Sequence, residues 1–478
     1  MVGYIIGGVF LALALVIFVR TLLFKPRRET RGEVEAVEVD GTAAALRLSE
    51  MIKCKTVSST DKSEEDEREF EKFESLLPRL FPTLFSVAEY TRVSDRALLL
   101  RWRGKGEGNP TVLMAHYDVV SIVAENWEKP AFDGIIEDGV VWGRGAIDTK
   151  GTLNGALSAA EQLASEGFIP ERDVYFAFAG DEEINGHGAQ DIVAIFRERG
   201  ITPELVLDEG GAVITGIFPG VKSPAAVIGI AEKGMVNIEY SVSGGGGHAS
   251  NPKPHTPVGK LSAACVRVEK KPPFKYRVTA PTGAMFDTLG RHSTPLYRMI
   301  FANLWLFGPI LALIGRLSGG QINAVGRTTV AFTQMQGSAG INVIPPVATM
   351  GSNSRILPGE SVDSTFRALK KRVKDEKIEM RILSSHEPSR VSVVDCEGYT
   401  RVKKAAMDTW QEALVSPYLM TACSDARHWG EISDRVYRFS PMRLSKEENA
   451  MVHGNNERVP VSSVAETVEF YIRLIKQC

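Results

Sequence analysis

Histidines and carboxylates follow the apolar runs of this sequence at several points. In "LMAHYDVV", His116 ends an apolar run and Asp118 follows two residues later. In "VYFAFAGDEEINGHG", the acids Asp181, Glu182 and Glu183 follow another apolar run. Three adjacent carboxylates repel one another and lose hydration on burial unless a positive charge lies among them. The sequence therefore predicts a cation at this point of the chain.

Three further stretches carry residues of the same types. "WGRGAIDTKG" contains Asp148, "LVLDEGG" contains Asp208 and "MVHGNNERV" contains His453. Taken alone, a histidine after a strand is usually structural, and an aspartate near a helix start is usually an N-cap. Together, the two histidines and the acids form the ligand set of a site for two divalent cations that share a bridging carboxylate. Zinc accepts both nitrogen and oxygen ligands, whereas magnesium and calcium prefer oxygen, so the set favours zinc.

Strands and helices alternate around these residues. Short apolar runs such as "TVLMA" and "DVYFAFAG" are typical of buried strands, and "IIEDGVVWG" indicates a hairpin that turns at Asp138 and Gly139. "TLNGALSAAEQLASEG" and "AQDIVAIFRERG" indicate helices that end at Gly167 and Gly200. This alternation predicts an α/β fold in which helices cover a sheet. Because the carboxyl ends of parallel strands face one crevice, a single crevice can collect all the candidate ligands.

The length and composition restrict the class of protein. A chain of 478 residues exceeds one core of ordinary size, which predicts two or more domains. The net charge of −2 gives no general attraction to polyanions, so we expect no nucleic-acid partner. The five cysteines are odd in number and lack CxxC pairing. They predict reduced or buried thiols and neither a disulfide framework nor a thiolate metal site.

The N-terminal residues 2–24 are almost entirely apolar, with Arg20 as the one charge, and they are numerous enough to cross the hydrocarbon of a bilayer. A cleaved signal peptide would place its basic residues before the apolar run, whereas here "KPRR" follows it. The sequence therefore predicts a single-pass membrane anchor at 2–24 and a linker at 25–44. Lys25, Arg27 and Arg28, on the C-terminal flank of the apolar segment, favour a cytoplasmic main domain. The only positive charge on the other flank is the amino terminus, so the side of the membrane on which the main domain lies stays open.

A β-rich region interrupts the α/β pattern. It begins at "MVNIEYSVSGGGGHAS", and the α/β pattern resumes after Pro358. We therefore expect a catalytic domain in two parts, 45–240 and 353–478, with an inserted α+β lid or dimerisation domain at 241–352. Within the insertion, 295–319 is strongly apolar. Arg298 near its start and Pro309 near its middle favour a buried or lid helix pair over a second membrane span.

Six motifs resemble those of a known enzyme family. In chain order they are "HYD", "GRGAIDTKG", "GDEE", "LDEGG", "GGGGHAS" and "HGNNERV". This series is similar to that of the co-catalytic zinc family of aminoacylases and exopeptidases. "NVIPPVA", "RILPG", "SDARHW" and "VYRFSP" fit the branch of carboxypeptidase S and the N-fatty-acyl-amino-acid synthase/hydrolases. The resemblance covers nearly everything from about 45 to 475 and implies a zinc-exopeptidase-like sheet flanked by helices.

The resemblance also implies a role for each candidate ligand. By their places in the motifs, His116 and Asp208 would bind one zinc ion. Glu183 and His453 would bind the second ion, and Asp148 would bridge the pair. These two ions are the cofactors that the resemblance implies.

Other residues of the same motifs would position or assist the reacting groups. Asp118 would accept a hydrogen bond from His116 and fix its tautomer. Glu182 would be the general base, taking a proton from the polarised water and delivering it to the leaving nitrogen. On an extended chain, neighbouring side chains point to opposite sides, so Glu183 can face the metal while Glu182 faces the water. Thr149 stands where relatives often have a second acid, and we expect this departure to matter little to metal binding.

The resemblance implies recognition residues as well. His248 in "SGGGGHAS" would donate to the developing oxyanion, and because it serves the neighbouring subunit in relatives, a homodimer is implied. The four glycines before it also suit a simple flexible turn. Arg355 and Asn342 match positions that hold the substrate's free carboxylate, although a surface salt bridge is an alternative for Arg355. Further pocket candidates are Arg427, His428 and Gly454.

We therefore expect a membrane-anchored, zinc-dependent amidohydrolase that acts on small peptides or N-acyl amino acids with a free carboxylate. A second interpretation is a deacetylase or deacylase of a polar metabolic intermediate, with the same metals and a more polar pocket. A catalytically idle, membrane-tethered binding protein is a third. It would require lost ligands, whereas the chain retains every expected ligand and Glu182.

Overall fold

The computed structural model describes residues 1–27 and 32–478, so Arg28, counted above among the basic residues, lies outside the described residues. The helices are α1 (Val2–Leu23), α2 (Gly41–Ile52), α3 (Glu67–Leu80), α4 (Pro82–Val87), α5 (Lys150–Ser165), α6 (Gly188–Glu198), α7 (Pro257–Lys270), α8 (Ala280–Arg291), α9 (Pro295–Ala302), α10 (Leu304–Ser318), α11 (Gly320–Ala324), α12 (Val362–Val373), α13 (Glu397–Thr409), α14 (Lys446–Asn449) and α15 (Val461–Ile475). The strands are β1 (Ala88–Ser94), β2 (Ala97–Trp102), β3 (Thr111–His116), β4 (Ile135–Glu137), β5 (Val140–Trp142), β6 (Val174–Ala179), β7 (Leu205–Thr215), β8 (Pro224–Glu232), β9 (Gly234–Ser243), β10 (Gly247–His248), β11 (Thr329–Gln336), β12 (Val343–Ile344), β13 (Val347–Ile356), β14 (Glu379–His386), β15 (Leu414–Met420), β16 (Val436–Leu444) and β17 (Arg458–Pro460).

A mixed sheet forms the centre of the larger part of the molecule. Its strands lie in the order β1-β2-β6-β3-β7-β16-β8-β15. β3 pairs in parallel with β6 and β7, and β7 pairs in parallel with β16, so the carboxyl ends of these strands meet at one edge. The predicted α/β class, a sheet flanked by helices, is confirmed.

The side chains of β6 alternate between two cores. Val174, Phe176 and Phe178 face the core that contains residues of α2, α3, α5, α13 and α15. Tyr175 and Ala177 face the core on the opposite side, where α6 packs. Because successive side chains of a strand point to opposite faces, a strand covered on both faces must be apolar throughout. The continuous apolar run "VYFAFA" follows from this double burial.

Several local predictions are confirmed. β4 and β5 form the expected hairpin, and its turn residues Asp138 and Gly139 have positive φ angles of 51° and 74°, as a tight hairpin turn requires. α5 and α6 end just before Gly167 and Gly200, whose positive φ angles of 75° and 64° suit glycine at a helix C-terminus.

A second sheet, in the order β11-β13-β9-β14, forms the smaller part of the molecule. α7 and α12 contribute to its core, which includes Tyr240, Leu261 and Leu369. β9 begins before position 241, and α12 and β14 lie after 352, so this sheet and its helices extend beyond the expected range 241–352 on both sides. The reason is strand pairing, since β9 lies between β13 and β14.

The apolar segment around 295–319 belongs to a group of helices, α8 to α11, beside β8 and β15 of the main sheet. Met285, Phe286 and Phe301 pack with Val227 and Tyr418 of those strands. α9 and α10 are bent by 109° relative to each other, which agrees with a helix pair rather than one straight span. Among the described residues of α10, only Gly315 is buried, so of the two expected alternatives, a buried or a lid helix pair, the exposure of α10 favours the lid.

α1 is long enough and apolar enough to cross a membrane, and none of its residues is buried within the described structure. It is a candidate membrane span, and a signal sequence would have the same properties. α2 begins at Gly41, where the side chain of Asp40 accepts a hydrogen bond from the backbone N–H of Ala43 at 2.9 Å. The last residues of the range expected as a linker, 25–44, are therefore helical.

Candidate metal centre

Asp148 lies between two imidazoles at the carboxyl edge of the main sheet. His116 ends β3, and its Nε2 lies 3.0 Å from Oδ1 of Asp148. Nε2 of His453 lies 3.0 Å from Oδ2 of the same carboxylate and 3.1 Å from Glu183. Each oxygen of Asp148 thus faces a different imidazole. This arrangement is the one that a carboxylate shared by two cations needs.

The acids of "GDEE" lie on a tight turn. Glu182–Ile184 form a 3-10 turn and not an extended chain, so the expected reason for separating the two glutamates, strand alternation, was wrong. At three residues per turn, successive side chains still diverge by about 120°. Glu183 contacts His453 and lies in a group with His116 and Asp148, whereas Glu182 lies in a group with His116 and Glu209. The two side chains share His116 but differ in their other neighbours, so they can take different roles.

Asp118 holds this turn in place. Its carboxylate accepts hydrogen bonds from the backbone N–H groups of Glu182 at 3.2 Å and Glu183 at 3.1 Å, and from the hydroxyl of Ser58 at 2.7 Å. Nδ1 of His116 lies 3.0 Å from the backbone oxygen of Asp118 and 3.3 Å from its carboxylate. One buried aspartate therefore orients both the imidazole and the two acids opposite it.

Glu209 is a site residue that the sequence prediction missed. Its Oε1 lies 3.7 Å from Nε2 of His116. Among the described residues, the compact groups of potential ligands are His116 with Asp148 and Glu183, and His116 with Glu182 and Glu209. Asp208, the expected ligand, is buried next to Glu209, and its Oδ2 accepts a hydrogen bond from the backbone N–H of Ala426 at 2.7 Å. The motif "LDEGG" could have indicated Glu209, because its two acids are adjacent. The resemblance assigns a role only to the first of them.

The site buries more negative than positive charge. Burial raises the pKa of Glu182 and Glu209 well above the usual range of glutamate, and neighbouring carboxylates raise it further. Burial also acts to raise the pKa of Asp148, but hydrogen bonds from His116 and His453 hold it well below its usual range. Hydrogen bonding to Asp148 contributes to raising the pKa of His453 to about 10. Divalent cations would neutralise such an excess of buried carboxylate, and imidazole with carboxylate is a donor set that suits them.

Glu457 ties together the loops that carry Asp148 and His453. Its buried carboxylate accepts hydrogen bonds from the backbone N–H of Asp148 at 3.1 Å and of the preceding residue at 2.7 Å. It also forms an ion pair with Arg144 at 2.7 Å, and Arg144 donates to the backbone oxygen of Gly454 at 2.8 Å. Gly454, expected to line the pocket, thus contributes its carbonyl to this contact. Glu457 positions the site from within "HGNNERV", although the resemblance assigns it no role.

Thr149 joins the loop of Asp148 to the end of β3. Its hydroxyl donates to the backbone oxygen of His116 at 2.9 Å and lies 3.0 Å from the backbone nitrogen of the same residue. The hydroxyl therefore fixes the main chain that carries His116. The resemblance assigns no such role to this position.

His248 and Asn342 lie side by side on the smaller part of the molecule. The pairing of β10 with β12 places His248 opposite Val343, next to Asn342. Both side chains are exposed, and Nδ1 of His248 lies 2.7 Å from the hydroxyl of Ser250. Within the described part of the chain, no hydrogen bond or ion pair joins either side chain to the acids around Asp148. The role of His248 at a neighbouring subunit's site stays a prediction.

Arg355 on β13 faces the loop at 423–428. Its Nη1 lies 2.9 Å from Sγ of Cys423, and its Nε donates to Oδ1 of Asn353 at 3.1 Å. No carboxylate among the described residues lies within salt-bridge distance of this guanidinium. The alternative of a surface salt bridge is therefore not observed among these residues, and a role of Arg355 in holding a substrate carboxylate stays a prediction.

Arg427 and His428 lie on the 3-10 turn Asp425–Glu431, near the same loop. Nη1 of Arg427 donates to the backbone oxygen of Ser424 at 2.7 Å, and its guanidinium lies 3.8 Å from Asp425. Burial, together with the charge of Arg427, lowers the pKa of His428 to about 3. His428 is therefore neutral at physiological pH. The structure brings these two residues and Arg355 to the same loop.

Comparison with known proteins places the chain among hydrolases of amide bonds. It matches the model of "Peptidase family M20/M25/M40" over residues 112–477. It is 34% identical over 441 residues to "Probable carboxypeptidase S-like 2" of Dictyostelium discoideum, which covers 90% of this chain and 84% of that protein. It is also 34% identical over 482 residues to "N-fatty-acyl-amino acid synthase/hydrolase PM20D1" of Xenopus tropicalis, which covers 99% of this chain and 94% of that protein.

Solved structures share the fold. The M20 family metallo-carboxypeptidase Sso-CP2 of Sulfolobus solfataricus has a TM-score of 0.68 at 17% identity, over 92% of this chain and 99% of that one. Human carnosine dipeptidase 1 has a TM-score of 0.65 at 14% identity, over 91% of this chain and 97% of that one. At these identities the likeness concerns the arrangement of helices and strands.

Proposed function

Because the chain belongs to peptidase family M20/M25/M40 and is a metallo-hydrolase of amide bonds, we propose that it cleaves N-acyl amino acids or small peptides with a free carboxylate. Relatives at 34% identity are named for carboxypeptidase S and for an N-fatty-acyl-amino acid synthase/hydrolase, which supports both substrate types. One observation carries the proposal. Asp148 lies between His116 and His453, among more buried carboxylates than two imidazoles neutralise.

We propose two zinc ions as the native cofactors, since imidazole and carboxylate together suit zinc better than magnesium or calcium. The residues that would hold them are His116, Asp148, Glu183, Asp208, Glu209 and His453. When bound, two such cations polarise the substrate carbonyl and lower the pKa of water toward neutrality.

Glu182 is the general base in this proposal. It accepts the proton of the attacking water and later passes it to the leaving nitrogen. Burial raises the pKa of Glu182 well above the usual range, and two cations beside it would act to lower that pKa, as a base that must start unprotonated requires. Asp118 holds the base in position through the backbone N–H of Glu182 at 3.2 Å.

The free carboxylate of the substrate would bind to Arg355. This guanidinium lies at the loop that begins after β15 and carries Cys423, and a fork of N–H donors matches the two oxygens of a carboxylate. Asn342, Arg427 and His428 remain candidates for the rest of the pocket. The substrate's carboxylate would orient the scissile amide, so we expect turnover to depend on a free carboxyl end.

A matched pair of variants tests the division of roles. Glu182→Gln keeps the shape of the side chain but cannot accept a proton, so turnover should fall by about 10²- to 10⁴-fold while metal content stays normal. Glu183→Gln should lose metal as well as turnover. Metal content by mass spectrometry and turnover of an N-acyl amino acid measure both. Equal behaviour of the two variants would contradict the assignment.

A substrate panel tests the chemistry. It contains N-acyl amino acids of several chain lengths, dipeptides, and polar N-acetylated intermediates without an α-carboxylate. We expect turnover of the first or second class and a strong loss when the free carboxylate is converted to an amide. Turnover restricted to the third class would contradict the proposal and favour the deacylase interpretation.

We further propose that α1 anchors the protein in a membrane and that a second copy of the chain supplies His248. The apolar, unburied surface of α1 and the exposed position of His248 support these two steps. Resistance to extraction by alkaline carbonate tests the anchor. Mixing inactive Glu182→Gln chains with inactive His248→Ala chains tests the second, because a mixed dimer would contain one intact site. Absence of any recovered turnover in proven mixed dimers would contradict it.

A further inference from the structure

One face of α10 carries large apolar side chains that are exposed. They are Ile310, Leu313, Ile314 and Leu317, which we call the α10 face. Their spacing of i, i+3, i+4 and i+7 places them on one side of a helix. Leu313 is 56% exposed and Leu317 79% exposed. Soluble proteins rarely expose contiguous apolar patches, so this face needs a covering environment.

The bend between α9 and α10 is hydrogen-bonded to the C-terminal end of α1. Nε of Arg20 donates to the backbone oxygen of Ala302, the last residue of α9, at 3.1 Å. Asn303, at the bend, is fully buried, and its Nδ2 lies 3.3 Å from the hydroxyl of Thr21 and 3.4 Å from the backbone oxygen of Ile17. The one charge of α1 is thus used to join α1 to the helix pair. The C-terminal end of α1 therefore lies next to the start of α10.

The dimensions place this junction at a membrane surface. α1 has 22 residues and a length of about 33 Å, which matches a hydrocarbon core of about 30 Å. α10 has 15 residues and a length of about 22 Å, which is too short to cross. The 109° bend also excludes α9 and α10 as one straight span. α10 therefore suits a position beside the bilayer rather than across it.

Other parts of the helix pair suit a lipid boundary. Trp305, at the start of α10, is 54% exposed, and tryptophan favours the level of the lipid head groups. Arg316, in the last turn, binds the backbone oxygen of Lys270 at 3.1 Å and remains exposed. A helix with one apolar face, an aromatic residue and a basic flank lies in the interfacial plane.

We propose that α9 and α10 lie in the interfacial layer of the same bilayer that α1 enters, with the α10 face directed into the acyl chains. The inference rests on the proposed anchor, because α1 fixes the position of the helix pair. It adds a second membrane contact, which sets the orientation of the catalytic part relative to the lipid. A cavity of 190 Å³ lies under this contact and is lined mostly by apolar residues, including Phe301, Leu311 and Ile314.

The tryptophans of the chain provide a direct test. Of the six, Trp305 is exposed, Trp127 and Trp142 are half-buried, and the other three, Trp102, Trp410 and Trp429, are buried. The full-length protein is reconstituted into phosphatidylcholine vesicles whose acyl chains carry bromine, which quenches tryptophan on contact. We expect the brominated lipid to quench part of the tryptophan emission of the wild-type protein. This quenched part of the emission should be missing in Trp305→Phe. Trp142→Phe is the matched control and should retain that part.

Two outcomes would overturn the inference. One is quenching that is unchanged in Trp305→Phe, and the other is a protein retained by the vesicles but not quenched at all. In the second case a second copy or another protein covers the α10 face. Failure of the anchor is seen separately, as release of the protein from the vesicles by alkaline carbonate. A paired variant, Leu313→Gln with Leu317→Gln, should weaken the quenching and leave retention through α1 unchanged.

Discussion

The loops of the metal centre and the α10 face differ in how their side chains are held. At the centre, the buried carboxylate of Glu457 receives three backbone hydrogen bonds and pairs with Arg144 at 2.7 Å. On the α10 face, Leu313 and Leu317 are 56% and 79% exposed. Protein groups satisfy the carboxylate of Glu457, whereas in our proposal lipid covers the α10 face. Substitutions at Glu457 should therefore change the free energy of unfolding. Substitutions on the α10 face should instead change the contact of the protein with a membrane.

The largest effect is expected for Glu457→Gln. The change removes a buried negative charge and leaves Arg144 buried without a charged partner, which costs about 3–5 kcal/mol of unfolding free energy. Urea unfolding of the metal-free protein measures it. Glu447→Gln is the control, because Glu447 pairs with Arg458 at 3.0 Å but is 76% exposed, and such pairs contribute about 1 kcal/mol or less. Equal losses in the two variants would show that burial of the Glu457–Arg144 pair has no special weight.

The inner side of the helix pair should behave like the core. Phe301 is 6% exposed, and its ring centroid lies 4.7 Å from that of Phe218 and 5.2 Å from that of Phe286. Phe301→Ala should cost about 3 kcal/mol, because it removes an aromatic ring and leaves a cavity. Thermal and urea unfolding in detergent measure the loss. A loss below 1 kcal/mol would mean that α9 is only loosely docked.

A smaller effect is expected at Thr149. Thr149→Val keeps the shape but removes the hydroxyl that joins two backbone groups of His116, at a cost of about 2 kcal/mol. Metal affinity should fall by about 10- to 100-fold, since contacts that orient a ligand have that weight. Thr149→Ser restores the hydroxyl and should recover most of the affinity, as measured by competition with a chelator. No recovery would assign the loss to packing instead of hydrogen bonding.

Local patterns predicted much of the fold. The apolar runs "TVLMA" and "DVYFAFAG" indicate buried strands, and they form the fully buried β3 and β6. Turn residues and glycines also predict the β4–β5 hairpin and the ends of α5 and α6, because each depends on the backbone preferences of a few neighbouring residues. The predicted ligands His116, Asp148, Glu183 and His453 likewise come together. His116 ends β3, Glu183 follows β6 and Asp148 precedes α5, whereas His453 lies in a turn between α14 and β17.

What the sequence did not predict depends on contacts between distant segments. Glu457 binds the loop before α5 from more than 300 positions away, so no local pattern marks it. β14 completes the second sheet by pairing with β9, and periodicity alone does not indicate the partner of a strand. Glu209 was missed for another reason. It sits beside Asp208, and only the fold determines which of two adjacent acids turns toward His116.

The smallest change in unfolding free energy is expected on α10, where the same substitution, leucine to glutamine, can be made at an inward and at an exposed position. Leu311 lines the apolar cavity and packs against the core, so Leu311→Gln buries an unpaired amide at a cost of about 1–3 kcal/mol. Leu313→Gln, two positions away and exposed, should change the unfolding free energy in detergent by less than about 0.5 kcal/mol. Its effect should appear in vesicles, as weaker quenching of Trp305. If both variants were equally destabilised in detergent, the α10 face would be packed against protein, and the contrast with the metal centre would disappear.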